Sequence, residues 1–322
     1  MRLGVFLAAA MLAATARAEV PYEAIDHIIV ISLENHSFDN LFGHFPGAEG
    51  LDNAGETAVQ RKRDGTPYAY LPPVMHSPHL MRVPDVRFPA QLANAPFPID
   101  AYLKPHERTS DPTHRFYHQI DQIHDGKMDR FVAVEGSALP MGYYEGSKLG
   151  LWRYAQRFVL MDHFFHAAFG GSMLNHFWLV CACTPRFPDA PEDMVIRFDK
   201  SKDMTQSGSV TPDGYAVNTA FAANGPHPKA LTGSAKLMPP QTLPTIADRL
   251  EKAGVSWAWY AGGWDDANAG RPSELFQFHH QPFVYFAGFE RGGARREAHL
   301  KDVKDFLHDL AAGTLPAVSF YK

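Results

Sequence analysis

Hydrophobic residues along this chain fall into short runs separated by polar and proline-rich stretches, and the spacing within each run predicts an element. Ile28-Ile29-Val30-Ile31-Ser32-Leu33 is a continuous apolar run of strand length and reads as a buried β-strand. Phe158-Val159-Leu160-Met161, Val255 to Tyr260, and Ala317-Val318-Ser319-Phe320-Tyr321 read as three more. Helical spacing appears from His114 through Phe116, Tyr117, Ile120 and Ile123, with Gly126 near the stop, and a further helix fits Ser147 to Gln156. The run Phe177 to Ala182 predicts a buried helix, with a strand as the alternative for so short a segment. A helix from about Pro244 to Ala253 closes at Gly254. Val303, Phe306, Leu307 and Leu310 then stand at i, i+3, i+4, i+7 with Gly313 as the stop. Repeated helix-then-strand units predict an α/β fold, a mixed, mostly parallel, doubly wound sheet between helical layers.

Two stretches lose this regularity. Between Leu51 and Pro112 no hydrophobic period survives and prolines recur, which predicts an irregular insertion wrapping the domain. Thr184 to Pro240 is rich in Pro, Gly and Ser, with a hairpin expected around Pro212-Asp213-Gly214, flanked by Val210 and Tyr215-Ala216-Val217.

The ends and the composition narrow the class. Met1-Arg2, the apolar run Leu3 to Ala14 and Ala16-Arg17-Ala18 have the three parts of a secretory signal peptide, so export to the periplasm or beyond is expected. Taking 18 residues from 322 leaves 304, enough for one large α/β domain over 19–322 or for two smaller ones, and one is expected. No later run approaches the roughly 20 apolar residues of a membrane helix. A net charge of −5 offers no basic field for nucleic acid. Cys181 and Cys183 are the only cysteines, which excludes a disulfide framework and suggests two core thiols rather than a metal pair.

Four segments carry candidate chemistry. Glu34-Asn35-His36-Ser37-Phe38-Asp39 follows the first strand, where polar groups leave the sheet; a carboxylate beside an amide there suits a cation, or else an ordinary capped turn. Phe169-Gly170-Gly171-Ser172-Met173-Leu174-Asn175-His176 places a serine after two glycines at the mouth of a helix, either a plain helix cap or a nucleophile beside free backbone N–H groups. It is not a G-x-S-x-G elbow, because Leu174 stands where the second glycine belongs. Asp111-Pro112-Thr113-His114 opens a helix, with His118 four residues on, and Phe276-Gln277-Phe278-His279-His280-Gln281-Pro282-Phe283 holds adjacent histidines that reach one ligand only through a turn. The aromatic residues of Ser256 to Trp264 read as core and pocket wall.

Ile25 to Gly43 closely resembles the N-terminal motif of the bacterial phosphoesterase family that contains phospholipases C and the respiratory-burst-inhibiting type of acid phosphatase. Phe158 to Pro185, with Asp162-His163-Phe164-Phe165 and Gly170 to Leu179, resembles the nucleophile segment of the acid phosphatase branch; the phospholipase C branch tends to carry a threonine there. The resemblance implies an alkaline phosphatase superfamily architecture and a phosphoester substrate. It also implies that Ser172 attacks phosphorus and that a divalent cation of unknown identity is held by Glu34, Asn35 and Ser172. Asn35, His114 and Asn175 would contact the substrate. His279 and His280 would line the phosphate pocket, one donating a proton to the leaving alkoxide, which calls for populated imidazolium and an acidic optimum. Family members continue beyond this length and add a histidine and an acidic pair, so the catalytic domain is expected to be incomplete at its C-terminus. Acid phosphatase is the favoured activity; a phospholipase C and a non-catalytic phosphate- or partner-binding remnant are the alternatives.

Overall fold

The computed structural model describes residues 22–77, 81–104 and 106–322. The expected signal peptide, 1–18, lies outside the described residues. At the centre is a four-stranded sheet, β1 (Ile28–Ile31), β2 (Trp257–Ala261), β3 (Leu300–Asp302) and β4 (Val318–Tyr321), in the order β1-β4-β2-β3 with every neighbouring pair parallel. Val318 pairs with Ile28 on one side and Trp257 on the other, and Phe320 likewise with Val30 and Trp259.

Period-2 alternation explains why β2 sits in the middle. Trp257, Trp259 and Ala261 join Phe320, Leu300 and the helix residues Met173, Phe177 and Val180 in the largest core, while Ala258 and Tyr260 face the opposite side against Phe306. All five residues of β2 are buried, as a strand covered on both faces requires. The helix Val303–Ala312 covers that second face. Asp302 caps its start reciprocally with Asp305, and Gly313 ends it at φ +68°. The helix Ile246–Lys252 uses the same device with Thr245 and Asp248.

Several expectations are corrected. The first strand is shorter than predicted and not buried: Ile28, Ile29 and Ile31 are 54 %, 41 % and 57 % exposed, because β1 is an edge strand and only Val30 packs on the main core. Phe158-Val159-Leu160-Met161 forms no strand, and Phe158, Val159 and Met161 are exposed; no strand among the described residues supplies ladder partners. The helix near 147–156 is confined to Gly150–Ala155. The helix after His114 runs Phe116–Ile123 and stops at His124 in the left-handed region, before Gly126. Cys181 and Cys183 are not free thiols but a disulfide, formed where the helix Ser172–Cys181 ends and Ala182 turns the backbone to φ +48°, which brings the two Cα atoms to 5.2 Å. The stretch 51–112 does more than wrap: Leu71, Val74, Phe88, Leu92, Phe97, Ile99 and Leu103 form a separate core with Val132, Ala138 and Leu139. The hairpin near Pro212 is present as the Val210 to Ala216 antiparallel bridge.

Candidate active site

Ser172 begins the ten-residue helix Ser172–Cys181, and its position is set by the two glycines before it. Gly170 has φ +113°, a conformation that a side chain resists, and at Gly171 a Cβ would lie 3.1 Å from both Cδ2 and the backbone oxygen of His114. The loop is held from within. Asn175 donates from Nδ2 to the carbonyls of Gly170 and Gly171 and accepts at Oδ1 from the Ala168 N–H, each at 3.3 Å. Among the described residues the Asn175 amide is engaged within this loop. The first N–H groups of the helix have no intrahelical acceptor and, with the helix dipole, make the Ser172 end a place for an anion.

Across from the loop, His279 and His280 stand on a 3₁₀ turn, Phe278–His280, which is the bend that adjacent histidines need to serve one place. The turn is fixed twice through its backbone: Trp259 Nε1 donates to the His280 carbonyl at 2.8 Å, and His176 Nδ1 donates to the His279 carbonyl at 3.1 Å. Burying Trp259 in β2 thus aims the histidines. His279 Nε2 lies 2.9 Å from Ser172 Oγ, and its Nδ1 is buried without a partner among the described residues. Burial pushes His279 down to about 3, with the His280 charge adding to the effect, and burial pushes His176 to about 3 as well. His279 is consequently neutral from mild acid upward. Burial thus works against an imidazolium at His279, and a neutral Nε2 can accept the hydrogen bond of a serine hydroxyl.

Glu34 lies beyond β1 and reaches the other histidine. His280 Nε2 donates to its Oε1 at 2.7 Å, and Lys322, directly after β4, places Nζ 3.2 Å from Oε2 with a side chain only 4 % exposed. Burial works to raise the Glu34 carboxyl, but the His280 hydrogen bond and the His280 and Lys322 charges hold it well below the ordinary range. Burial lowers the Lys322 ammonium while Glu34 opposes that shift. The sheet register makes this meeting possible: β1 and β4 are parallel neighbours, so the chain leaving Ile31 and the chain leaving Tyr321 emerge side by side.

The histidine before the loop is also brought in. His114 packs on Gly171, and its Nδ1 donates to the Pro112 carbonyl at 2.7 Å, leaving Nε2 for another partner. His118 lies a helical turn further on and is half-buried and lowered by burial; nothing ties it to Ser172. Asn35 is exposed and makes no side-chain hydrogen bond among the described residues. Lys322 and His176 are members of the site that sequence reasoning missed. His176 carried a signal, since it sits at i+4 from Ser172 on one helix face; Lys322 carried none.

The expected cation set is only partly assembled. Among the described residues no three His, Cys, Asp or Glu side chains converge closely enough to hold a metal ion. Donors already occupy both oxygens of Glu34. One engaged carboxylate, one exposed amide and one hydroxyl do not fit a divalent ion, which takes six or more oxygens and needs anionic charge.

Beside Glu34 opens a cavity of about 360 Å³ lined by Leu33, Leu41, Leu149, Leu151, Tyr144 and His36. A serine at a helix N-terminus, a histidine on its hydroxyl and a second histidine on a carboxylate form the candidate site, and the cavity meets it at Glu34. The profile of the Phosphoesterase family matches residues 25–322, a span that contains every residue of this site. The chain therefore belongs to the phosphoesterase family, whose members are hydrolases of phosphoric esters.

Proposed function

We propose that this chain hydrolyses phosphate monoesters through a phosphoserine at Ser172. The observation that carries the reading is the 2.9 Å approach of His279 Nε2 to Ser172 Oγ at the open end of a helix. In the first half-reaction the Oγ–P bond forms as the ester P–O bond breaks. The hydroxyl proton passes to His279, and the departing oxygen leaves as an aryloxide or is protonated by solvent. In the second, water attacks phosphorus, Oγ leaves and recovers its proton from His279, and the water's proton goes to solvent. The helix N–H groups meet the charge on the phosphoryl oxygens, and His114 Nε2 stands beside them.

Members of the family generally use a metal, which supplies Lewis-acid stabilisation of the phosphoryl oxygens when bound. The described residues do not complete such a site, so the steps above are assigned to the chain's own groups. The apolar cavity beside Glu34 supports a substrate with an apolar or aromatic organic part rather than a free sugar phosphate. Export is proposed on the charged, apolar and small-residue pattern of residues 1–18, and the Cys181–Cys183 disulfide suits an oxidising compartment.

Acid-quenched turnover of an aryl phosphate, followed by peptide mapping, tests the reading. A phosphoryl group on the peptide containing Ser172 is expected. Release of phosphate with no label there, or faster cleavage of phosphatidylcholine to phosphocholine than of the monoester, overturns it.

A further inference from the structure

Glu34 is engaged from both sides. His280 Nε2 takes Oε1 at 2.7 Å, and the ammonium of Lys322 takes Oε2 at 3.2 Å from a position almost sealed from solvent. Lys322 cannot drift from that place easily, because its backbone extends the ladder: its N–H donates to the Tyr260 carbonyl at 2.9 Å, and its carbonyl accepts from the Gly262 N–H at 3.1 Å. A buried ammonium needs an anion, and Glu34 is its ion-pair partner among the described residues.

We propose that Lys322 is a positioning residue of the phosphoryl-transfer site: its ammonium is the internal cation of Glu34, and it competes with a divalent ion for that carboxylate. The inference rests on the reading of Ser172, His279, His280 and Glu34 as one site. Lys322 acts through Glu34. By fixing that carboxylate it fixes where His280 Nε2–H points, and His280 adjoins the base His279 with ring centroids 4.8 Å apart. A divalent ion at Oε2 would stand against the ammonium at contact distance, and like charges there disfavour each other strongly once water is excluded. The ion therefore binds only as Lys322 swings away, and removing the ammonium frees the carboxylate.

Calorimetric titration of the full chain with Mn²⁺ alone decides this. Wild type and Lys322→Arg should bind Mn²⁺ weakly and alike, Lys322→Met should bind at least about tenfold more tightly, and Lys322→Met combined with Glu34→Gln should lose that gain. Lys322→Gln keeps a hydrogen-bond donor and removes the charge, and it gives the same comparison if the Met variant does not fold. In metal-free buffer the neutral variants should lower kcat on an aryl phosphate more than tenfold with KM nearly unchanged, and Lys322→Arg should restore it; a purely structural lysine would move thermal stability without that split. Equal Mn²⁺ affinity in wild type and the neutral variants, or a gain that survives Glu34→Gln, overturns the proposal. Trapping of phosphoserine at Ser172 is read separately, so its failure strikes the catalytic reading while the Mn²⁺ series still decides the role of Lys322.

Discussion

Ser172 and His279 share a hydrogen bond, and under the proposed phosphoserine route their removal should be felt in different ways. Ser172→Ala deletes the proposed attacking atom, and because uncatalysed monoester hydrolysis is among the slowest of reactions, turnover should fall by several orders of magnitude while the circular dichroism spectrum stays unchanged. More than about a tenth of wild-type kcat remaining would remove Ser172 from the role. His279→Asn deletes the proposed general base, an effect of roughly 10²- to 10⁴-fold, and it should leave the KM for an aryl phosphate within a few-fold. His280 touches Glu34 rather than the serine, so His280→Gln should cost less than His279→Asn on the same substrate. Equal losses from the two variants would contradict this division of labour.

Elements matter here through the groups they hold in place. The Ser172 loop depends on Asn175, whose three weak bonds tie residues 168, 170 and 171 to the first turn of the helix. Asn175→Leu is expected to lower stability by about 1–3 kcal/mol through unpaired backbone groups, and denaturant titration at constant m-value measures it. A shift in midpoint too small to resolve would show that the loop does not need the clamp. The edge strand β1 poses a different problem. It presents Ile29 and Ile31 on the side away from the main core, and an exposed apolar edge invites association. Ile29→Lys should therefore reduce concentration-dependent association in light scattering while leaving aryl phosphate turnover within about twofold; unchanged association would mean that this edge is not the sticky surface.

Acid should loosen the whole molecule. His176 and His279 sit near 3 in the folded protein, below their ordinary value of 6.5, so the unfolded chain binds more protons between those two pH values. Stability from keeping them neutral is complete above about pH 6.5 and declines as pH falls toward 3, each proton contributing at most about 1.4 kcal/mol per pH unit. Glu34 is shifted the same way for a carboxylate. Its contribution is present above the unfolded value of 4.5 and is lost as pH falls below that. Melting temperature measured from pH 7.5 to 4 should drop steeply below 6.5, and in a His176→Asn, His279→Asn double variant the slope should flatten. A flat profile for the wild-type protein would contradict the buried neutral histidines.

By itself the sequence determined the parts of the fold that depend on neighbours along the chain. The helix Val303–Ala312 with its stop at Gly313, the strand after Gly254 and the strand ending at Tyr321 were legible because capping, period and turn chemistry are local. The serine after two glycines and the paired histidines were legible as candidates for the same reason, and the family resemblance gave them roles. Whether an apolar run is buried was not legible: Ile28–Ile31 and Phe158–Met161 look alike in sequence, but one is an edge strand and the other no strand, because pairing and cover come from residues far away. The Cys181–Cys183 bond turned on a left-handed Ala182 that no composition count reveals. Tertiary structure alone decided which nitrogen meets which oxygen. It set His279 on Ser172 and His280 on Glu34 by anchoring their turn to Trp259 and His176, and it brought Lys322 to Glu34 because two parallel strands 290 residues apart in register, Ile28 beside Val318, end at the same edge. Burial, not sequence, then keeps His279 neutral, since excluding water from an imidazole disfavours its charge whatever residue types surround it.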